Sequence, residues 1–251
     1  MSRLIDLKKK VGIVLEKREV SSAIMAQVGC AFDITGSMDR LYKSGAVQNL
    51  AERLLAIALR FDDNGSLDSW SFCDASNELP PIVENNYATY VTESMINNPN
   101  IDKWGSTLYA PVLKNIARFY FGGTVTEVNL VARPSTKLWD KLMRKTQIVA
   151  EPQEVAVAGQ NNGKTPVYLM FITDGENYDP DNAWVILEEL KDENIYIEFV
   201  GIGNEKFTFC KQAADKYGNV GFVQIKDLST MTDETLFSEL LNPEFCEWIK
   251  K

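Results

Sequence analysis

A short polar segment, Asp33-Ile34-Thr35-Gly36-Ser37, carries the residues of this chain that are best suited to chemistry. It follows an apolar stretch with the pattern of a buried strand, and a helical pattern comes after it. Asp, Thr and Ser at every second position can place a carboxylate and two hydroxyls on one side of a tight loop, and Gly36 lets the backbone turn. Oxygen ligands of this kind suit Mg²⁺ first, with Mn²⁺ or Ca²⁺ as alternatives. The spacing therefore predicts a divalent-cation site.

Two other segments offer similar chemistry at equivalent places. Gly105-Ser106-Thr107 starts a helical pattern, and Asp174-Gly175 follows a second buried strand. Because open α/β sheets bind ligands at the carboxyl ends of their strands, we expect Thr107 and Asp174 to join the first segment. Taken singly, each piece has a plainer interpretation, a helix cap or a simple turn. Their joint occurrence in this order favours a metal site.

The three carboxylates that follow Asp174 allow two interpretations. Glu176, Asp179 and Asp181 could accept hydrogen bonds from water molecules on the metal. They could equally start the next helix, where carboxylates favour the positive end of the helix dipole.

The composition excludes several other kinds of site. The chain has no histidine, which removes Ser-His-Asp and Cys-His nucleophiles and the usual zinc ligands. A net charge of -9 argues against nucleic acid as a partner. The four cysteines form no CxxC pair, so we expect them to be reduced and buried. The longest apolar run, Val167 to Ile172, is too short to cross a bilayer and the N-terminus lacks an apolar leader, so we expect no membrane insertion and a cytoplasmic location.

The elements that must position these residues alternate between strands and helices. The sequence predicts buried strands over residues 27–33, 67–73, 167–173, 195–201 and 220–225, and an edge strand over 79–83. Helical patterns cover residues 47–61, 106–121, 181–193, 206–217 and 235–251. The second of these helices should start at Ser106 or Thr107, and the last should be broken at Pro243. This alternation predicts an α/β fold, a Rossmann-like, doubly wound and mostly parallel six-stranded sheet with helices on both faces.

We expect one domain over residues 1–251, with two additions. A helical extension is predicted over about residues 1–25, and an insertion over about residues 122–165. The insertion is long for a connection and includes a short helical pattern, Thr136 to Lys145.

Taken together, the polar segments resemble the metal-ion-dependent adhesion site (MIDAS) of the von Willebrand factor A (vWA) family, which combines a D-x-S-x-S loop with a distant Thr and a distant Asp. Thr35 stands where that family usually has Ser, and it keeps the hydroxyl. The resemblance implies the vWA fold and a binding function without catalysis. It also implies a protein partner that supplies an acidic residue to the metal, and it assigns as metal ligands Asp33, Thr35, Ser37, Thr107 and Asp174.

Other segments resemble the branch of vWA domains found in tellurium-resistance (Ter) stress proteins. They are Leu41-Tyr42-Lys43-Ser44-Gly45, Gln48, Glu52-Arg53, Phe61-Asp62-Asp63-Asn64-Gly65 and Leu240-Leu241-Asn242-Pro243-Glu244-Phe245. The resemblance covers most of the chain except residues 122–165. It implies a cytoplasmic role in assembling stress-response complexes.

Two alternatives remain open at this point. Asp33-Ile34-Thr35-Gly36-Ser37 also resembles the D-x-T-G-T loop of haloacid-dehalogenase-like phosphatases, in which Asp33 would be the phosphorylated nucleophile beside Mg²⁺. That interpretation leaves Gly105-Ser106-Thr107 without a role, so we expect the chain not to be an enzyme. The other alternative is a purely structural interaction domain whose polar loop no longer binds metal.

Overall fold

The computed structural model describes residues 2–61, 65–134, 146–161 and 165–251, with residues 2, 125–134 and 146–154 described by their backbone alone. The chain divides into two compact units. The larger unit comprises Met1–Asn115 and Gly163–Lys251, and the smaller one comprises Ile116–Asn162.

The strands of the described chain form two sheets. They are β1 (Gln27–Asp33), β2 (Leu67–Phe72), β3 (Ser76–Ile82), β4 (Gly123–Pro134), β5 (Thr146–Val157), β6 (Val167–Thr173), β7 (Ile195–Ile202) and β8 (Val220–Ile225). The larger unit holds a six-stranded sheet in the order β3-β2-β1-β6-β7-β8. The edge strand β3 runs antiparallel to β2, and every other neighbouring pair in this sheet is parallel. The predicted six-stranded, mostly parallel sheet is thus confirmed.

One helix precedes the first strand, and the others lie between the strands or after the last one. They are α1 (Ser2–Lys17), α2 (Asp39–Lys43), α3 (Ala46–Phe61), α4 (Ala110–Phe121), α5 (Pro180–Leu190), α6 (Thr208–Lys216), α7 (Asp233–Leu240) and α8 (Pro243–Ile249). Shorter turns are a 3-10 turn over Gly36–Met38 and a π-helical turn over Val91–Ile96. Among the helices of the described ranges, none has both the length and the apolar character that crossing a membrane demands.

Helices cover both faces of the six-stranded sheet. Alternate residues of a strand point to opposite faces, so Met170 and Ile172 of β6 belong to one apolar cluster that also contains the buried residues of α1 and α3. Phe171 points the other way, with its ring centroid 5.0 Å from that of Phe199 in β7. Phe209 of α6 meets the Phe199 ring edge-on at 6.1 Å. Burial on both faces explains why these strands are nearly continuous apolar runs in the sequence.

One predicted helix start is wrong. The helix expected from Ser106 or Thr107 begins at Ala110 instead. The backbone N–H groups of Tyr109 and Ala110 donate to the carboxylate of Asp179 at 2.7 and 3.1 Å. The group that caps this helix therefore lies some 70 positions away in the chain, and no local pattern could have indicated it.

The predicted break in the closing helical segment is confirmed. Asn242 precedes Pro243 and caps α8, because its side-chain oxygen accepts a hydrogen bond of 2.8 Å from the N–H of Phe245. Pro243 then occupies the first turn of α8, where a missing N–H costs nothing.

The smaller unit contains a two-stranded antiparallel sheet. Strands β4 and β5 pair from Gly123 opposite Val157 to Pro134 opposite Thr146. The sequence analysis gave this segment as an insertion and did not anticipate the strands. The helix predicted over Thr136 to Lys145 lies outside the described residues.

The four cysteines are all buried and free of disulfide bonds, as predicted. They are Cys30, Cys73, Cys210 and Cys246, and burial raises the pKa of the Cys210 thiol to about 12. The Cys210 thiol therefore remains protonated, and buried cysteines of this kind serve as small apolar groups.

Candidate metal centre

The candidate centre lies where the strand order reverses. Strand β1 pairs with β2 on one side and with β6 on the other, and Phe32 stands opposite Ile172. Asp33 ends β1 and Asp174 directly follows β6, so both occupy the same carboxyl edge of the sheet. A crevice at such a reversal is the usual ligand site of an open α/β sheet.

Hydrogen bonds connect four of the five predicted ligands. Oδ1 of Asp33 accepts a hydrogen bond of 2.8 Å from the backbone N–H of Thr35. The hydroxyl oxygens of Thr35 and Ser37 lie 3.1 Å apart. The Ser37 hydroxyl donates to Oδ1 of Asp174 at 2.7 Å. The two hydroxyls of the first loop therefore face the carboxylate that follows β6.

The fifth predicted ligand, Thr107, belongs to the same group of loops. A β-carbon built on Gly175 would lie 3.4 Å from the Thr107 hydroxyl oxygen, so this hydroxyl adjoins the residue after Asp174. The Thr107 carbonyl accepts a hydrogen bond of 3.0 Å from the N–H of Tyr178. Thr107 is buried, and it caps no helix, in contrast to its plainer interpretation.

Three residues that the sequence analysis did not single out hold Asp33 in place. The Thr173 hydroxyl donates to Oδ2 of Asp33 at 2.8 Å, and the Tyr109 hydroxyl donates to that of Thr173 at 3.2 Å. The Tyr42 hydroxyl donates to the backbone carbonyl of Asp33 at 2.9 Å. Thr173 could have been noticed as the polar end of an apolar strand. Tyr109 gave no signal, because its partner Thr173 lies 64 positions away in the chain. Tyr42 stood in a segment that resembles the Ter branch, but that resemblance did not indicate a contact with Asp33.

Burial and a neighbouring carboxylate set the electrostatics of the centre. Asp33 is completely buried, and this burial raises its pKa to about 6. The hydrogen bonds from Thr35 and Thr173 oppose that rise, while the charge of Asp174 adds to it. Burial also raises the pKa of Asp174, with a further contribution from Glu205. A divalent cation would offset this excess of negative charge.

The carboxylates after Asp174 support helices other than the one expected. Asp179 caps α4, as described above, and Glu176 accepts hydrogen bonds from the backbone N–H of Thr208 at the start of α6, 3.1 Å from each carboxylate oxygen. Asp181 lies in the first turn of α5 and is exposed. All three carboxylates therefore lie at helix starts, which favours that interpretation of the sequence. Only Asp181 belongs to the helix that follows it directly, since Asp179 and Glu176 support α4 and α6.

Two exposed aromatic residues border the centre. The N–H of Trp104 donates to the carbonyl of Ile34 at 2.8 Å, and its side chain is 40% exposed. Tyr178, hydrogen-bonded through its backbone to Thr107, is 72% exposed. Trp104 has a φ of 68°, a left-handed conformation that costs a residue other than glycine about 1 kcal/mol. Strain of this kind is concentrated at functional sites.

The donor chemistry fits a hard divalent cation. The five side chains offer three hydroxyls and two carboxylates, and oxygen is the ligand atom that Mg²⁺ and Ca²⁺ prefer. Across the part of the chain that the structure describes, no three Asp, Glu, Cys or His side chains are grouped as a metal centre. A cation here would therefore depend on the hydroxyls as well as on the carboxylates.

The architecture of the larger unit, a doubly wound sheet with polar loops gathered at its reversal point, is that of a vWA domain. The chain belongs to the vWA-TerF-like family, whose model, described as the vWA found in the TerF C terminus, matches residues 25–251. It is also similar to a Bacillus subtilis (strain 168) protein called Uncharacterized protein YcbR. The two are 34% identical over 255 residues, which cover 98% of this chain and 87% of that protein. The predicted vWA membership is thus confirmed.

Solved structures support the fold alone. Proximal thread matrix protein 1 (PTMP1) from the mussel byssus aligns with a TM-score of 0.56 at 13% identity, over 88% of this chain. A second structure of the same mussel protein aligns with a TM-score of 0.54 at 14% identity. This chain spans 48% of the mussel protein, about half of its length.

Proposed function

We propose that this chain is a metal-dependent protein-binding module. In this proposal one divalent cation, Mg²⁺ before Mn²⁺ or Ca²⁺, is held by Asp33, Thr35, Ser37, Thr107 and Asp174. The observation that carries the proposal is the hydrogen bond between Ser37 and Asp174, which joins the loops after β1 and β6 with oxygen atoms facing one another. Convergent hydroxyl and carboxylate oxygens at a sheet reversal are what an oxygen-coordinated cation needs.

The chain itself provides a contact surface beside the proposed cation. A bound divalent cation would offer a coordination position to a carboxylate of the partner protein. Trp104 and Tyr178 present exposed aromatic side chains next to the loops that would hold the cation. Aromatic residues are enriched in protein interfaces and often carry much of the binding energy. We therefore propose that the partner places an Asp or Glu at the metal and an apolar residue against these rings.

The geometry supports binding over the phosphatase alternative. A nucleophilic carboxylate must present an oxygen to the phosphorus atom. Asp33 is completely buried, and both of its carboxylate oxygens already accept hydrogen bonds, from Thr35 and Thr173. A phosphate monoester is too large to approach such a carboxylate, whereas a cation can be held through a remaining lone pair or through a water molecule. Membership of the vWA-TerF-like family supports a role in Ter-type stress complexes. Participation in tellurite tolerance and a cytoplasmic location remain predictions.

The test is a capture experiment from a native lysate of the source organism. The immobilised full chain is compared in Mg²⁺ and in excess chelator, beside three variants: Asp174→Ala at the centre, Trp104→Ala at its border, and Asp192→Ala as an exposed control. Asp192 precedes the amino end of β7, at the edge of the sheet opposite the centre. We expect the wild type and Asp192→Ala to retain the same protein in Mg²⁺ and to release it in chelator. Asp174→Ala should retain none of it, and Trp104→Ala should bind metal normally but retain several-fold less.

Two results would contradict this proposal. One is capture that is identical with and without chelator. The other is hydrolysis of a phosphate monoester that Asp33→Asn abolishes while metal still binds, which would favour the phosphatase instead.

A further inference from the structure

The six-stranded sheet has two edge strands, and the first of them is protected against pairing with another chain. Strand β3 includes Pro80 and Pro81, which have no N–H group to donate. Their carbonyls accept hydrogen bonds from the Tyr90 hydroxyl at 2.6 Å and from the side-chain amide of Asn86 at 3.0 Å. Proline at an edge is a common means of preventing the addition of a strand. This edge is therefore closed.

The opposite edge strand, β8, keeps backbone groups free. The carbonyl of Asn219 accepts the N–H of Ile197 in β7 at 3.0 Å, and that of Ile225 bonds to the residue after β7 at 2.9 Å. The N–H and C=O of a strand residue point to one side, and the side alternates along the strand. Phe222 and Gln224 therefore direct their N–H and C=O groups away from β7. Among the described residues, none forms a hydrogen bond with these outward backbone groups.

A cleft of about 510 Å³ gives access to this edge. Its lining includes residues of β8, with Asp215 of α6 on one side and with Glu239 of α7 and Glu244 of α8 on the other. Helix α6 covers the face of the sheet that carries Phe199, whereas buried residues of α7 and α8 belong to the apolar cluster of the opposite face. A strand added about 4.8 Å from β8 would therefore run between the helices of the two faces.

The cleft opens onto the edge of the sheet and not onto its face. A β-carbon built on Gly221 would lie 2.6 Å from the Tyr196 hydroxyl oxygen and 2.8 Å from each carboxyl oxygen of the buried Glu198. These two side chains already fill the space beside Gly221. A ligand in the cleft would therefore contact the outward backbone groups of Phe222, which lines it.

The charges that line the cleft are mainly negative. Asp215, Glu239 and Glu244 are exposed carboxylates, and Arg18 is the one basic residue among the described residues that line it. Lys211 lies over the Phe222 ring at 5.4 Å but does not line the cleft. A second copy of this chain would bring the same carboxylates to the edge, so the charges favour a different, basic partner.

We propose that the edge of β8 binds an extended segment of another protein that carries Lys or Arg side chains. The outward N–H and C=O groups of Phe222 and Gln224 would pair with the backbone of this segment and extend the sheet by one strand. Its basic side chains would point towards Glu239 and Glu244. None of the five candidate metal ligands lines this cleft, so the binding requires no cation.

A synthetic peptide tests this surface. The probe is a fluorescent octapeptide of alternating lysine and valine with blocked ends, and its binding to the full chain is measured by fluorescence anisotropy in excess chelator. We expect saturable binding. The same peptide N-methylated at every residue lacks N–H donors, and a second control has glutamate in place of lysine. Both controls should bind at least about tenfold more weakly. No saturable binding of the lysine peptide, or equal binding of either control, would overturn the proposal.

Hydrogen exchange of the backbone amides, measured by NMR, locates the bound peptide. The N–H groups of Phe222 and Gln224 point away from β7, so they should exchange quickly in the free protein and at least about tenfold more slowly with saturating peptide. The N–H of Val223 faces β7 and should be protected in both states. Unchanged exchange at Phe222 and Gln224 in the presence of the peptide would place the peptide elsewhere and overturn the assignment.

A matched pair of variants tests the backbone contact. Phe222→Pro removes the central outward N–H, and we expect the affinity for the lysine peptide to fall by at least about tenfold. Phe222→Ala loses the same ring but keeps the N–H, so it should bind within a few-fold of the wild type. Equal affinities of these two variants, both folded by circular dichroism, would contradict the pairing. So would a dimer of the free wild type that Phe222→Pro dissociates, because the occupant would then be a second copy.

Charge reversal tests the chemistry of the partner, and it decides the matter if Phe222→Pro does not fold. The double variant Glu239→Lys and Glu244→Lys should lose affinity for the lysine peptide and gain affinity for the glutamate peptide, each several-fold. Glu247→Lys makes the same change at an exposed position of α8 that does not line the cleft, so it should keep the wild-type preference. An unchanged preference in the double variant would overturn the proposal.

Discussion

The Ser37 hydroxyl donates a hydrogen bond to Oδ1 of Asp174 at 2.7 Å, although 137 positions separate the two residues. This contact brings the loop after β1 against the loop after β6, at the point where the sheet order reverses. Asp33 lies beneath it, buried and fixed by Thr173. The parallel pairing of β1 with β6 is what makes the contact possible, and the candidate metal centre depends on it.

The support of Asp33 by Thr173 leads to a first prediction. Thr173→Val keeps the shape of the side chain but leaves Oδ2 of Asp33 without its hydroxyl donor. We expect the free energy of unfolding, measured by urea denaturation without metal, to fall by about 1–3 kcal/mol. The loss should be larger above pH 6, because Asp33, with a pKa of about 6, is then ionised. The control is Thr89→Val at an exposed position, and an equal effect of both variants would contradict the role of Thr173.

The long-range cap of α4 gives a second prediction. Asp179→Ala removes the acceptor for the N–H groups of Tyr109 and Ala110, and we expect it to cost about 1–2 kcal/mol of unfolding free energy. Asp181→Ala, two residues away and exposed, should change this free energy by less than about 0.5 kcal/mol. Urea denaturation of the two variants measures the difference. Equal effects would mean that charge near the helix, not the cap, matters.

The strands were the most predictable part of the fold. The predicted bounds of β1 and β6 agree with the structure, because strands covered on both faces are apolar runs that end where a polar site begins. Asp33 and Asp174 could be placed at a common edge for the same reason, since parallel strands share their direction. The candidate ligands followed from this placement.

The sequence could not predict contacts that depend on distant partners. Thr107 has the residue type of a helix cap, but the cap is Asp179, which lies 70 positions from Tyr109 in the chain. Tyr42 supports Asp33 through a hydroxyl at the far end of its ring. Glu198 has a residue type that is rarely buried, and only the tertiary structure shows its pairing with Asn242.

The burial of Glu198 predicts a characteristic pH dependence. Its pKa rises from 4.5 to about 8 on folding, so the folded state binds the proton more tightly than the unfolded chain does. The stability that this proton contributes is complete below about pH 4.5 and is lost as the pH rises towards about 8. Glu198→Gln cannot lose a proton, so its free energy of unfolding should lack this decline.

Urea denaturation at several pH values measures the effect. The difference between wild type and Glu198→Gln should change by up to about 4 kcal/mol across this range, since one pKa unit corresponds to about 1.4 kcal/mol. Glu247→Gln, at an exposed position, is the control. Parallel pH profiles for wild type and Glu198→Gln would show that Glu198 is not buried as described.

The central claim is that these loops hold a divalent cation, and calorimetric titration with Mg²⁺ tests it most directly. The metal-free wild type and Asp192→Ala should each bind about one ion, and Asp33→Ala, Ser37→Ala and Asp174→Ala should weaken this binding by at least about tenfold. Mn²⁺ and Ca²⁺ titrations on the same proteins rank the metals. Binding to wild type that all three centre variants retain unchanged, or no saturable binding to a folded wild type, would contradict the account.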